Sequence, residues 1–248
     1  MTATRRLASM ASSRCGLVFP GGGLFFWWQA GAITGLARRL DMQSTPLAGA
    51  SAGALAATLA ACEVDMENAF ERALALSNEA GVFERGAWGL YGVWGDIVRN
   101  WLEELLPHDA AQRCQDRVNL LVRQPVLQYP PVRALEISSF SGRADLIDCC
   151  MASVHVPLFL DRRLTTEFRG ARCFDGSLEI WGLPKVEYPM PEQFSTVPVI
   201  RVSPFKDPRM RARYSRTSDF LRLSDVDAIR EMMIWGQTFA EEGKLQAR

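Results

Sequence analysis

The sequence predicts an α/β fold on a mainly parallel sheet, and three observations carry that prediction. Residues 15–62 read strand, helix, strand, helix, an order that implies parallel strands joined by crossover helices. Two runs, between Arg14 and Arg38 and between Asp41 and Glu63, contain no charged residue, as expected where strands and helices are buried on all sides. A Gly49-Ala50-Ser51-Ala52-Gly53 pentapeptide stands between the second strand and its helix, a junction that such sheets use for chemistry.

Taken in order, Cys15–Pro20 (CGLVFP) is a short apolar run stopped by Pro-Gly and predicts a buried strand. Leu24–Leu40 carries helical signals and ends in Arg38-Arg39, which suit a helix C-terminus. Pro46–Gly49 is a second strand, and the alanine-rich Ala52–Cys62 is strongly helix-forming. Helices are expected over Asp65–Ala80, Trp94–Leu106, Asp109–Leu121, Arg143–Met151 and Asp225–Leu245, and strands over Val132–Phe140, Ala171–Phe174 and Val197–Val202. Gly81–Trp101, with five Gly and three Trp, opens as irregular chain. No repeat or linker interrupts the pattern, so residues 15–248 are expected to form one domain. Residues 1–14, rich in Arg, Ser and Thr and without an acid, read as a disordered or organelle-targeting extension.

Composition excludes some functions. The 28 basic and 28 acidic residues balance, so no bulk charge points to nucleic acid. Arg209, Arg211, Arg213 and Arg216 cluster, in what reads as a solvated loop or a contact with anionic lipid. The six cysteines lack C-x-x-C or histidine spacing, which predicts reduced, buried thiols of an intracellular protein and no metal. Neither uncharged run is a membrane span, since the first holds Pro20, three glycines and Gln29 and the second is Ala- and Gly-rich around Pro46.

Three motifs carry chemistry. In the G-x-S-x-G, Gly49 and Gly53 let a tight turn lift the Ser51 hydroxyl clear of the chain and aim the amide of Ala52 at an oxyanion. A serine needs a base. The two histidines are His108, in a polar segment, and His155, in the apolar SVHVPLF, and neither follows in the late position a conventional triad uses. Asp175, followed by Gly176 at the end of a buried strand, fits the carboxyl edge of the parallel sheet, where sites of open α/β folds collect, and is the second candidate; its plain alternative is an ordinary Asp-Gly turn. Gly21, Gly22 and Gly23 lie between strand and helix, where their amides suit an oxyanion or a phosphate. The nucleotide motifs fail: Phe26 stands where G-x-G-x-x-G needs its last glycine, and a Gly-Lys-Ser/Thr is absent.

Together the triplet Gly21–Gly23, the elbow Gly49–Gly53 and Asp175-Gly176 resemble the patatin-like phospholipases. Ala152–Leu164 (ASVHVPLFLDRRL) resembles the segment this family places before its Asp-Gly, and VIRVSPF (Val199–Phe205) its triglyceride-lipase branch. The resemblance covers about residues 15–205. It implies a three-layer α/β sandwich with a mainly parallel central sheet flanked by helices. It also implies a lipid acyl hydrolase without cofactor, acting on glycerolipid esters at a membrane or lipid-droplet surface. Ser51 is then the nucleophile, Asp175 the general base, and Gly21, Gly22, Gly23 and Ala52 the oxyanion loop. Phe25 and Phe26 replace the basic residue and further glycine of many members. They belong to Phe25-Phe26-Trp27-Trp28, part of which is core and part a candidate acyl-chain slot, with Trp88, Tyr91 and Trp94 as candidates for its mobile wall. The bulk of Phe26 also raises the alternative of a catalytically weak or inactive lipid-binding protein. A histidine-dependent esterase built on His155 is the third reading.

Overall fold

A computed structural model describes residues 15–178, 191–216 and 218–246. Its centre is a five-stranded sheet of β1 (Gly16–Phe19), β2 (Leu47–Ala50), β3 (Val118–Pro125), β4 (Val132–Ile137) and β7 (Val199–Arg201). The order is β4-β3-β2-β1-β7, parallel throughout except for the antiparallel edge strand β4. Leu17, Phe19 and Leu47 point into the main core, while Val18 and Ala48, one residue out of phase, pack on Phe194 across the other face. The apolar strands thus have both faces covered, which is why they carry no charge.

Helices α1 (Phe26–Ala37) and α2 (Ala52–Ala61) follow β1 and β2 as the crossovers require. Every residue of α2 is buried, so its alanines serve both propensity and close packing behind the sheet. Helix α8 (Val226–Glu241), capped by the Asp225 carboxylate on the Ala228 amide, lies along α1. Their backbones touch: a Cβ on Gly31 would stand 1.9 Å from the Met233 carbonyl, and one on Gly236 1.9 Å from that of Trp28. Helices α3 (Met66–Glu79), capped by Asp65, and α4 (Trp94–Leu105) pack together, with a 3-10 turn, Phe83–Trp88, between them. Helix α6 (Arg143–Ser153) lies against β3. All six cysteines are free and buried. Among the described residues no helix is long and apolar enough to cross a membrane.

Three expectations are corrected. The helix expected over Asp109–Leu121 is only α5, Ala110–Cys114; Asp116 takes a positive φ of 53°, and the chain turns into β3. The Arg117 guanidinium fixes that turn by donating to the carbonyls of Met42, Thr45 and Ala61. The run Val118–Val122 is then a strand buried on both faces. The strand expected at Ala171–Phe174 is β6 (Ala171–Cys173), but it pairs antiparallel with β5 (Thr166–Phe168), outside the central sheet. A single antiparallel bridge, Phe174 with Arg123, ties this hairpin to β3. The arginine cluster, read first as a solvated loop, is largely helix α7, Pro208–Arg213. Arg209 pairs with the buried Asp207 at 2.9 Å, and the Arg213 guanidinium lies over Trp235. Burial raises the Asp207 pKa, but the bonds from Arg209 and Trp28 outweigh it and hold the carboxyl below its ordinary value.

Candidate active site

The strand β2 ends at Ala50 and α2 begins at Ala52, leaving Ser51 alone in the turn with φ 55° and ψ −131°. A non-glycine residue is rarely held there, and such strain collects where a side chain must be presented. The turn closes only because glycines flank it. A Cβ on Gly49 would lie 2.0 Å from the Gly53 carbonyl, and one on Gly53 2.0 Å from that of Phe19.

The Ser51 hydroxyl donates to Asp175 Oδ2 at 2.6 Å, across 124 residues of sequence. Asp175 is 1% exposed. Its other oxygen, Oδ1, accepts from the amide and the hydroxyl of Ser177, each at 2.8 Å. Burial raises the Asp175 pKa above its ordinary value of 3.8, opposed by the bonds from Ser51 and Ser177. The carboxylate is therefore a stronger base than an exposed aspartate, yet its lone pairs are directed.

A residue that sequence reasoning missed holds the two together. Ser153, fully buried at the end of α6, accepts the Ser51 amide at 2.9 Å and donates to the Leu121 carbonyl of β3 at 2.7 Å. Its own carbonyl accepts from the Gly176 amide at 2.9 Å. One serine thus ties the elbow, the sheet and the Asp-Gly turn. The available signal was a small polar residue in an apolar helix end, four positions before Pro157.

The glycine triplet lies beside this pair. Gly21 approaches so closely that a Cβ would stand 3.2 Å from Ser51 Cβ and 2.1 Å from Ser177 Oγ. Gly23 takes a positive φ of 52° and opens a 3-10 turn into α1. Gly22, Gly23 and Ala52 line the cavity with Ser51, and their amides have no acceptor among the described residues. Gln29, also overlooked in the sequence, braces the loop from α1 by donating to the Pro20 carbonyl at 2.8 Å.

Ser51 and Asp175 open onto a cavity of about 760 Å³. Phe26 and Trp27 from α1, Phe70 from α3 and Trp101 from α4 pack edge to face along it, with centroids 5.0 to 6.1 Å apart. Phe25 lines it as well, in contact with Phe205 and Tyr214. Trp28 does not; it packs on Phe239, and its indole N–H donates to Asp207 at 3.0 Å. Of the candidates for a mobile wall only Trp94 lines the cavity, while Trp88 and Tyr91 are exposed and rest on Phe159.

His155 is not in the site. Its ring is buried, lies 3.2 Å from the Arg163 carbonyl and does not line the cavity. Burial lowers its pKa, which leaves it neutral at pH 7. Its contribution is a carbonyl that accepts the Asp175 amide at 2.9 Å. Among the described residues no three His, Cys, Asp or Glu side chains gather in a metal-binding group.

Residues 17–179 match the patatin-like phospholipase family, and the chain belongs to it. Patatin-like phospholipase domain-containing protein 4 of Homo sapiens is 25% identical over 174 residues, 68% of this chain and 64% of that protein. Omega-hydroxyceramide transacylase of Mus musculus is 26% identical over 162 residues, 64% of this chain and 26% of that protein. The chain therefore spans less than two thirds of either relative. Among solved structures, VipD from Legionella pneumophila aligns with a TM-score of 0.37 and 15% identity, over 77% of this chain and 50% of that one.

Proposed function

We propose that this member of the patatin-like phospholipase family cleaves fatty-acyl esters of glycerolipids through a Ser51–Asp175 dyad and an acyl-enzyme. The observation that carries the reading is the 2.6 Å bond from Ser51 Oγ to a buried carboxylate at the wall of an apolar cavity. Asp175 accepts the hydroxyl proton as Ser51 attacks the ester carbonyl, and the amides of Gly22, Gly23 and Ala52 receive the oxyanion. The glycerol oxygen leaves with a proton from Asp175. Water, deprotonated by the same carboxylate, then releases the fatty acid and restores Ser51. The acyl chain lies along Phe26, Trp27, Phe70 and Trp101. Phe26 packs on Trp27 and Trp101 at the start of α1, which supports a slot wall rather than a blocked oxyanion loop.

Hydrolysis of a panel of phospholipids, galactolipids and acylglycerols by the wild type, beside Ser51→Ala, tests this reading. Release of fatty acid by the wild type alone supports it. Equal release by Ser51→Ala overturns it. The similarity to a transacylase favours one second reading, transfer of the acyl group to a lipid alcohol instead of water. Adding a long-chain alcohol to the assay separates the two, since transfer yields a new ester at the expense of free acid.

A further inference from the structure

Among the described residues the cavity wall is almost wholly apolar or small, and besides Asp175 it includes one charged residue, Arg216. Arg216 is exposed, and among the described residues its guanidinium makes no hydrogen bond or ion pair. Only its main chain is fixed: the amide donates to Asp219 Oδ2 at 2.9 Å, and the Asp219 amide returns a bond to the Arg216 carbonyl at 3.1 Å. The neighbouring arginines differ. Arg209 is spent on Asp207, Arg213 on Glu231, and Arg211 is exposed but does not line the cavity.

The turn that carries Arg216 lies over the reacting end of the cavity. The Phe220 carbonyl accepts the Leu24 amide at 2.8 Å and would stand 2.1 Å from a Cβ on Gly23. Tyr214, two residues before Arg216, packs on Phe25, centroid to centroid 5.1 Å. These contacts set the chain on either side of Arg216 against the glycine loop and Phe25, and Arg216 lines the cavity from that turn. A guanidinium on that turn, with five donors and no acceptor among the described residues, matches a phosphate next to the ester group far better than a neutral glycerol.

We propose that Arg216 selects anionic substrates, so that the site takes glycerophospholipids with a negatively charged headgroup in preference to neutral acylglycerols. This rests on the cavity being the lipid site proposed above, although the selectivity itself requires no catalysis.

The test separates the two. Hexadecyl phosphate and hexadecanol are each presented at low mole fraction in neutral detergent micelles, which keeps the interface uncharged. Binding is read from tryptophan fluorescence, because Trp27, Trp94 and Trp101 line the cavity. The wild type should prefer the phosphate. Arg216→Gln should lower the phosphate-to-alcohol affinity ratio about tenfold, the size of one charge-assisted hydrogen bond at a half-solvated site. Arg216→Lys should restore part of the ratio, and Arg211→Gln, with the same net charge, should leave it at the wild-type value. A ratio unmoved by Arg216→Gln, or moved equally by Arg211→Gln, overturns the proposal, as does a wild type that binds neither amphiphile. Selective binding without hydrolysis of phosphatidylglycerol would count against the hydrolase reading and leave the role of Arg216 standing.

Discussion

The two ends of the cavity are built to different tolerances. At the polar end Ser51, Ser153, Asp175 and Ser177 are joined by bonds of 2.6 to 2.9 Å, and each hydroxyl or carboxylate has assigned partners. At the apolar end Phe26, Trp27, Phe70 and Trp101 meet through ring edges, contacts that are individually weak and adjust to one another. Directional bonds in a low-dielectric site are costly to leave half-made, whereas apolar contacts degrade gradually. Single substitutions should therefore act steeply at one end and shallowly at the other.

The steepest effects belong to the proposed dyad. Ser51→Ala and Asp175→Asn should each lower kcat on the order of 10⁴-fold or more, measured as fatty-acid release. The two should differ in stability. Because the folded-state pKa of Asp175 is raised, the fold favours its protonated form, and stability is lost as pH rises through that range. Asparagine carries no such cost, so Asp175→Asn should melt at or above the wild-type temperature at pH 7 while being inactive. A lower Tm with full activity would break the contrast between the two ends.

Ser153→Ala should come next. It leaves the Ser51 amide buried without its acceptor and should lower kcat roughly 10- to 100-fold, with KM nearly unchanged, because the missing bond orients the nucleophile and touches no substrate. A change in KM alone would place Ser153 outside the positioning network.

The pH dependence is smaller but has a definite sign. As the proposed base, Asp175 must be ionised, so kcat/KM should fall as pH drops through its raised pKa, on an acid limb above 3.8. Asp175→Glu, if active, should move that limb; a limb unmoved by any change at position 175 would assign it elsewhere.

Shallowest of all, Phe26→Leu should alter the preferred acyl-chain length by only a few fold in KM, since it reshapes a wall without removing a bond. A loss of kcat comparable to that of Ser153→Ala would show that Phe26 shapes the oxyanion loop instead.

The same division governs what the sequence made legible. The elbow could be read from Gly49, Ser51 and Gly53 because backbone contact at 2.0 Å admits nothing but glycine at its flanks. The β-α-β-α opening was legible because Pro20 with its glycines, Arg38-Arg39 and Pro46 punctuate the apolar runs, and the alanines of Ala52–Cys62 favour helix. Strand β3 was hidden, since Ala110–Leu121 blends a short helix into a continuous apolar run, and the break at Asp116 depends on Arg117 reaching carbonyls some 56 to 75 residues away. Ser153 and Gln29 were hidden for a related reason. Their partners, Ser51, Leu121, Pro20 and Val202, are brought to them by tertiary folding, and no local spacing encodes that. Asp175 was found from its Asp-Gly, but its strand was misassigned to the sheet, because three residues of β6 carry no sign of which neighbour they pair with.

The most direct measurement is the rate of labelling by a fluorophosphonate, with the modified residue identified by mass spectrometry, in wild type, Asp175→Asn and a His155→Gln variant checked for folding by its Tm. A buried aspartate acting as the base of Ser51 predicts rapid modification of Ser51 in the wild type and in His155→Gln, and its loss in Asp175→Asn. Retention of rapid labelling in Asp175→Asn, with loss in a folded His155→Gln, would contradict it.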